Sequence, residues 1–246
     1  MFSANYSFHE RRFALKCTTM ETKLLHWLGR EFVEIRAEGR AGVTADAATD
    51  ELFRKFDDEL QLHGLSLDNC VRVRVWGPDR GARTLATAAR SKILTGTRKV
   101  ASSSFISQQW FDSDAVAGLE LLAMKPSTGS IDRRPVEFQP ARNYLRYLRC
   151  DSLLFFSGFT SEAPTLEEQV PEIIQTLANG FTVAGCSWSK VVRLSIFLHR
   201  SQKHERLMEI LSQGPQLTIP EIEVSFVDGF AGDKYLVEIE ATALSS

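Results

Sequence analysis

Two separated segments of this chain carry the same succession of helix face, glycine stop and alternating strand, and that duplication restricts the fold to a unit used twice. FRKFDDELQLHGLSLDNCVRVRVW, Phe53 to Trp76, matches IQTLANGFTVAGCSWSKVVRLSIF, Ile174 to Phe197, at an offset of 121 residues. Gly64 falls on Gly185, Ser66 on Ser187, Val71 on Val192 and Arg72 on Arg193. Leu52, Phe53, Phe56 and Leu60 fall on Ile173, Ile174, Leu177 and Phe181, which is the spacing of one buried helix face. A repeated packing unit predicts repeated domains, and 246 residues leave each half enough chain to bury its own core.

The flanking patterns fill in the unit. KLLHWLG and REFVEIRAEG read as adjacent strands, and Thr44 to His63 as a helix closed by Gly64. Cys70 to Trp76 is the next strand, followed by a turn at Gly77-Pro78-Asp79 and an alanine-rich helix from Ala82 to Leu94. Strands at Ala101–Ser107 and Ala117–Met124 close the first half. The second half repeats the order: a strand at Leu153–Phe156, a capping box at Thr165–Glu168, and a helix with a kink or late start expected at Pro171. A strand at Val191–Leu198, a helix at His204–Leu211 and strands at Glu221–Val227 and Tyr235–Ala243 follow. Each half is thus β-β-α-β-α-β-β, an α/β (α+β) unit with its helices on one face of a mixed sheet. The expected boundaries are 1–126 for the first domain, 127–139 for a linker rich in proline, glycine and charge, and 140–246 for the second domain. The open sheet faces require cover from the other domain, a second copy of the chain, or both.

Charge narrows the function classes. With 29 basic and 31 acidic residues there is no footprint for nucleic acid or an anionic membrane. No apolar run reaches the length of a membrane span, and the N-terminus lacks the apolar core of a secretory signal. Cys17, Cys70, Cys150 and Cys186 show neither metal-ligand nor disulfide-framework spacing, so the expected setting is reducing and cytoplasmic. His199 and His204 lack the spacing of a metal pair, and no metal is expected. Arg72 and Arg74, alternating in VRVRVW, form a polar strand face suited to line an interface.

Four pieces of the second half resemble the reactive intermediate deaminase family, RidA/YjgF, in order and spacing across residues 144 to 243. They are LLFFSG at Leu153 to Gly158, EEQV at Glu167 to Val170, AGCSWSKVVRLSIFL at Ala184 to Leu198, and LVEIEATA at Leu236 to Ala243. The first half resembles the family through its repeat relation to the second. The resemblance implies a chorismate-mutase-like fold in each half, assembly as a homotrimer of chains with six domains, and small-molecule sites in clefts between subunits or domains. Active members hydrolyse 2-imino and 2-enamino acids to 2-oxo acids and ammonia without a cofactor, so none is expected here.

The resemblance also assigns roles residue by residue. Tyr144 takes the place of the tyrosine before the first strand, Ser157-Gly158 that of the strand-ending serine and glycine, and Glu240 and Glu120 that of the carboxylate orienting the hydrolytic water. The substrate-clamping arginine, two positions after a proline, is replaced: Pro220-Glu221-Ile222 stands there in the second half and Ala101-Ser102-Ser103-Ser104 in the first. Met208 stands at the position of the family's asparagine. Isoleucine and serine do not reproduce a bidentate guanidinium–carboxylate pair, so ordinary 2-iminopropanoate deamination is not expected. Ser102 and Ser103 either line a polar pocket or simply alternate along a strand. Arg98 either supplies the missing cation or is a solvated arginine at a helix end. Glu120 and Glu240, set among apolar neighbours, either belong to a site or face solvent. The expected function is binding of a small reactive metabolite at an interdomain or intersubunit cleft, with hydrolysis or deamination of an imine or enamine as the enzymatic form. The alternative is a catalytically silent binding or assembly module.

Overall fold

A computed structural model describes residues 20–127, 129, 131–213 and 221–245. Domain 1 contains strands β1 (Glu21–Trp27), β2 (Arg30–Glu38), β3 (Cys70–Gly77), β4 (Ala101–Ile106) and β5 (Gly118–Met124), with helices α1 (Ala45–Leu62) and α2 (Arg80–Ile93). Domain 2 contains β6 (Arg133–Glu137), β7 (Leu145–Cys150), β8 (Leu153–Phe159), β9 (Val191–His199), β10 (Glu221–Val227) and β11 (Val237–Leu244), with helices α3 (Leu166–Val183) and α4 (His204–Gln213). The sheet orders are β1-β2-β5-β3-β4 and β10-β9-β11-β8-β7-β6, so the five strands common to both are arranged alike. In each sheet only the last pair, β3–β4 or β9–β10, is parallel, with a helix making the crossover.

The repeated helix face does what its spacing predicts. Leu52, Phe53, Phe56 and Leu60 pack on Val33, Ile35, Val73, Val75, Leu119 and Leu121. Ile173, Ile174, Leu177 and Phe181 pack on Leu154, Phe156, Leu194, Ile196 and Ile239. Both helices end at a glycine in the left-handed region, Gly64 with φ +70° and Gly185 with φ +67°, a conformation that strains any residue with a Cβ.

Three expectations need correction. The stretch 127–139 is not simply a linker, because β6 adds an edge strand to the second sheet. Pro135 is tolerated there since an edge strand pairs on one side only. Arg133 ties β6 to domain 1, donating to the carbonyls of Cys70, Thr97 and Lys99. Helix α3 begins at Leu166 and contains Pro171, so it does not start late there. At its N-terminus the Thr165 hydroxyl bonds the Glu168 carboxylate at 2.7 Å rather than a backbone N–H.

The open sheet faces cover each other. Phe32, Val71, Ala101 and Met124 meet Leu145, Leu148, Leu153 and Phe155. Further along, Trp76, Phe105 and Trp110 meet Phe197, Val227 and Phe230, with the Phe105 and Phe197 rings stacked at 3.9 Å. Among the described residues no helix is long and apolar enough to cross a membrane.

Candidate functional site

Strand periodicity decides which polar groups enter the seam between the sheets. On β3, Val73 and Val75 face the helices, so Arg72 and Arg74 point to the seam. On β11, Ile239 and Ala241 face the helices, so Glu238, Glu240 and Thr242 point to the same seam. Arg74 donates from Nη2 to Glu240 Oε2 at 2.7 Å and from Nε to both carboxylate oxygens at 3.2 and 3.3 Å. Its Nη1 reaches Glu120 Oε2 at 3.5 Å. Arg72 lies 3.3 Å from Glu240 through Nε and donates to Thr242 Oγ1 and to the carbonyls of Phe156 and Ala241. Glu120 and Glu240 hold equivalent sheet positions, opposite Arg74 on β3 and Ser195 on β9. One guanidinium thus bridges the two carboxylates that the repeat relates.

Burial sets the charges. Desolvation works against ionised Glu240, yet the guanidinium groups of Arg74 and Arg72 outweigh it and hold the carboxyl below its ordinary range. Arg74 is desolvated as well, but Glu240 and Glu120 keep its proton more firmly than in water. Arg72 is pushed down to about 10 by burial and by neighbouring Arg74 and Arg193, and stays charged at neutral pH. Glu238 has the opposite fate: burial pushes its pKa up to about 8, with Glu240 adding repulsion, so it is protonated at neutral pH. Two carboxyl groups on one strand face are therefore poised in different protonation states.

A second row of expected residues gathers where β4 crosses β8. The β8–β11 pairing carries a bulge in which Ser157 and Gly158 together stand opposite Glu240. Ser102 N–H donates to Ser157 Oγ at 3.1 Å. Ser103 Oγ favours the ionised forms of both Glu238 and Glu240. Gly158 backs directly onto this group, since a Cβ there would collide with the Glu238 carboxylate and the Ser103 hydroxyl. Gly158→Ala is accordingly expected to destabilise the chain by about 1–3 kcal/mol in urea unfolding. A variant as stable as its parent would show that the seam yields to a methyl group.

Beside the ion cluster an interdomain cleft of about 290 Å³ opens, lined by Leu25, Trp27, Phe32 and Leu122 on its apolar side and by Glu34, Arg72, Arg74, Glu120 and Arg193 on its polar side. Arg193, from domain 2, stacks over Trp27 at 4.5 Å and pairs with Glu221 at 2.7 Å, leaving its buried Nε without a hydrogen-bond partner. Of the expected residues, Glu120 faces this cleft, whereas Glu240 is sealed behind the arginines. Tyr144 lies elsewhere, accepting from Arg142 at 2.9 Å and sharing a small crevice with Ser102. Arg98 is spent in an exposed ion pair with Asp68, 2.7 Å from Nε to Oδ1, and leaves the serine run alone. Ile222 and Met208 pack against the helix-side core of domain 2. Pro220 is outside the described residues.

Residues 135–245 match the family model described as Endoribonuclease L-PSP. No curated protein matches the chain in sequence. Among solved structures, a chorismatase shares the fold over 91% of this chain and 79% of its own, with a TM-score of 0.62 and 15% identity. A Mycobacterium tuberculosis member of the YjgF/YER057c/UK114 family covers 46% of this chain and 99% of its own, at TM-score 0.41 and 24% identity. RidA from an Antarctic Psychrobacter covers 46% and 99%, at TM-score 0.41 and 16% identity. The match to the Endoribonuclease L-PSP family model, that of RidA/YjgF, thus falls on the second domain, residues 135–245.

Proposed function

We propose that the chain binds a small carboxylate-bearing metabolite in the interdomain cleft and hydrolyses its C=N bond there. The observation that carries this reading is the cleft itself, with cationic and anionic groups converging between aromatic walls. Such a lining suits a dipolar molecule, one end carboxylate and the other an imine or iminium. The donors available for the carboxylate are Arg74 Nη1, held only by a 3.5 Å contact, and Arg193, whose Nε lacks a partner. Glu120 is placed to orient water for attack on the imine carbon. Water adds across C=N, the carbinolamine expels ammonia, and a carbonyl group remains. Glu120 takes the proton of the attacking water and returns it to nitrogen as ammonia leaves. No ribonuclease role is assigned, since a net charge of -2 offers nothing to a polyanion.

The test is calorimetric titration with a panel of small 2-oxo acids and other carboxylates, followed by turnover of the matching imines. Chorismate belongs in the panel, because the fold spanning both domains is shared with a chorismatase. Arg193→Ala is expected to weaken binding about tenfold or more. Glu120→Gln is expected to abolish turnover while leaving binding in place. The engagement of both Glu120 oxygens, by Arg74 Nη1 and by Trp110 Nε1, favours a second reading, in which the cleft binds without reacting. Binding with no turnover in the parent protein would select that reading, and no binding at all would reject both.

A further inference from the structure

At the apolar end of the cleft the two copies of the fold differ. Leu25 pairs with Phe32 as Cys150 pairs with Leu153, and Leu122 stands two residues past Glu120 as Thr242 stands two past Glu240. In domain 2 these positions are closed. Cys150 and Thr242 are fully buried in the seam, and Thr242 accepts a hydrogen bond from Arg72. In domain 1 the same positions are left partly open, and Leu25, Trp27 and Leu122 are half-buried along the cleft wall. Solvation alone favours the smaller or more polar residue at the more open position. The chain carries the reverse, a leucine against a cysteine and a leucine against a threonine.

The seam face of the first sheet is ordered in rows two residues, or roughly 7 Å, apart. Arg36, Glu120 and Arg74 make one row, and Glu34, Leu122 and Arg72 the next. Leu25 and Phe32 pair in a third row, beside Trp27. Charge therefore gives way to apolar surface along the cleft. With its carboxylate on Arg74 Nη1 and its imine carbon beside Glu120, a bound acid points its side chain toward Leu122. A benzyl group extends roughly 6 Å from that carbon by standard bond lengths, enough to lay its ring on Leu122 and bring its far edge to Leu25 and Trp27. A methyl group stops short of all three. The cleft, at about 290 Å³, has the size at which sites begin to enclose a whole small molecule, and a three-carbon acid leaves its apolar end to water.

We propose that the cleft selects acids whose side chain ends in a six-membered ring, the 2-imino acids of aromatic amino acids, and that Leu122, Leu25 and Trp27 read the ring. This inference rests on the carboxylate-binding reading of the same cleft and goes beyond it by fixing the side chain. Selection here is a property of binding, so it does not depend on whether Glu120 carries out hydrolysis.

The test is calorimetric titration of the full chain with pyruvate, 2-oxohexanoate and phenylpyruvate, the stable oxo acids matching three imines. Phenylpyruvate is expected to bind at least about tenfold more tightly than pyruvate, the effect of burying one phenyl ring, with the linear 2-oxohexanoate between them. Leu122→Gln is expected to cut the ratio of phenylpyruvate to pyruvate affinity to about threefold or less. Should that variant fail to fold, Leu25→Gln on the edge strand takes its place with the same expectation. Equal binding of pyruvate and phenylpyruvate would overturn the selection and leave the carboxylate-binding reading standing. Binding of 2-oxohexanoate as tight as that of phenylpyruvate would overturn the ring, and a ratio unchanged in the variant would overturn its place on Leu122. No binding of any of the three would reject this inference together with the reading it rests on. Preferred binding of phenylpyruvate without turnover of its imine would uphold the selection and reject hydrolysis.

Discussion

Glu240→Ala will destabilise the chain by about 3–5 kcal/mol, because it leaves two guanidinium groups buried without their shared carboxylate. Glu240 is fully buried and takes hydrogen bonds from Arg74 while lying 3.3 Å from Arg72. Arg72 keeps Thr242 and two backbone carbonyls as acceptors for its Nη groups, while its charge and its Nε are stranded. Arg74 loses its main partner, and Glu120 at 3.5 Å is a poor substitute. Combining Arg74→Met with Glu240→Ala should therefore cost less than the sum of the single changes, a coupling that a double-mutant cycle reads directly. The pH dependence has a definite sign. Glu240 is held below its ordinary value in the folded chain, so its contribution is present above the unfolded pKa and lost as pH falls through the folded one. The parent should lose more stability on acidification than Glu240→Ala. A loss under about 1 kcal/mol in urea unfolding would mean that water replaces the carboxylate and that the seam is wetter than its burial implies.

Fold and site were legible to different depths, and the difference is physical. Phe56 and Leu177 announce equivalent buried helix faces because helical periodicity is a local property, and Gly64 and Gly185 mark equivalent stops for the same reason. The strand β6 was hidden because Pro135 and a run of charge resemble linker chemistry, and only an edge position makes them compatible with a sheet. The alternation of Arg72 and Arg74 showed that both leave the core on one side of β3. Nothing local could show that Glu240, far along the chain, would meet them across a domain boundary. Arg98 was a candidate through its closeness in sequence to the serine run, but Asp68 lies nearer in space. Glu238 carried a usable signal: it shares strand parity with Glu240, so any argument placing one in the seam places the other there too.

Glu238→Gln should stabilise the chain at alkaline pH, and the gain should vanish on acidification. Glu238 sits beside the Gly158 bulge, with the Ser103 hydroxyl and Arg83 as its polar surroundings. Burial raises its pKa from 4.5 to about 8, chiefly because the ionised form cannot be solvated there and secondarily because Glu240 already carries a negative charge. Linkage then runs opposite to that of Glu240. Between the unfolded and folded values the folded chain binds a proton that the unfolded chain does not, so stability declines as pH rises through that window. Its contribution is fully present below about pH 4.5 and exhausted above about pH 8. Between pH 5 and pH 8 the decline attributable to this one carboxyl is up to about 3 kcal/mol. Glutamine keeps the shape and hydrogen-bonding capacity of the protonated acid without the proton to lose, so the variant should escape that decline. Urea unfolding of parent and variant at intervals from pH 5 to pH 9 makes the comparison, with curves that coincide near pH 5 and separate steadily toward pH 8. Parallel curves would show that Glu238 ionises freely in the folded chain, paired with Arg83 and Ser103, and that the seam holds two carboxylates in place of one carboxylate and one acid.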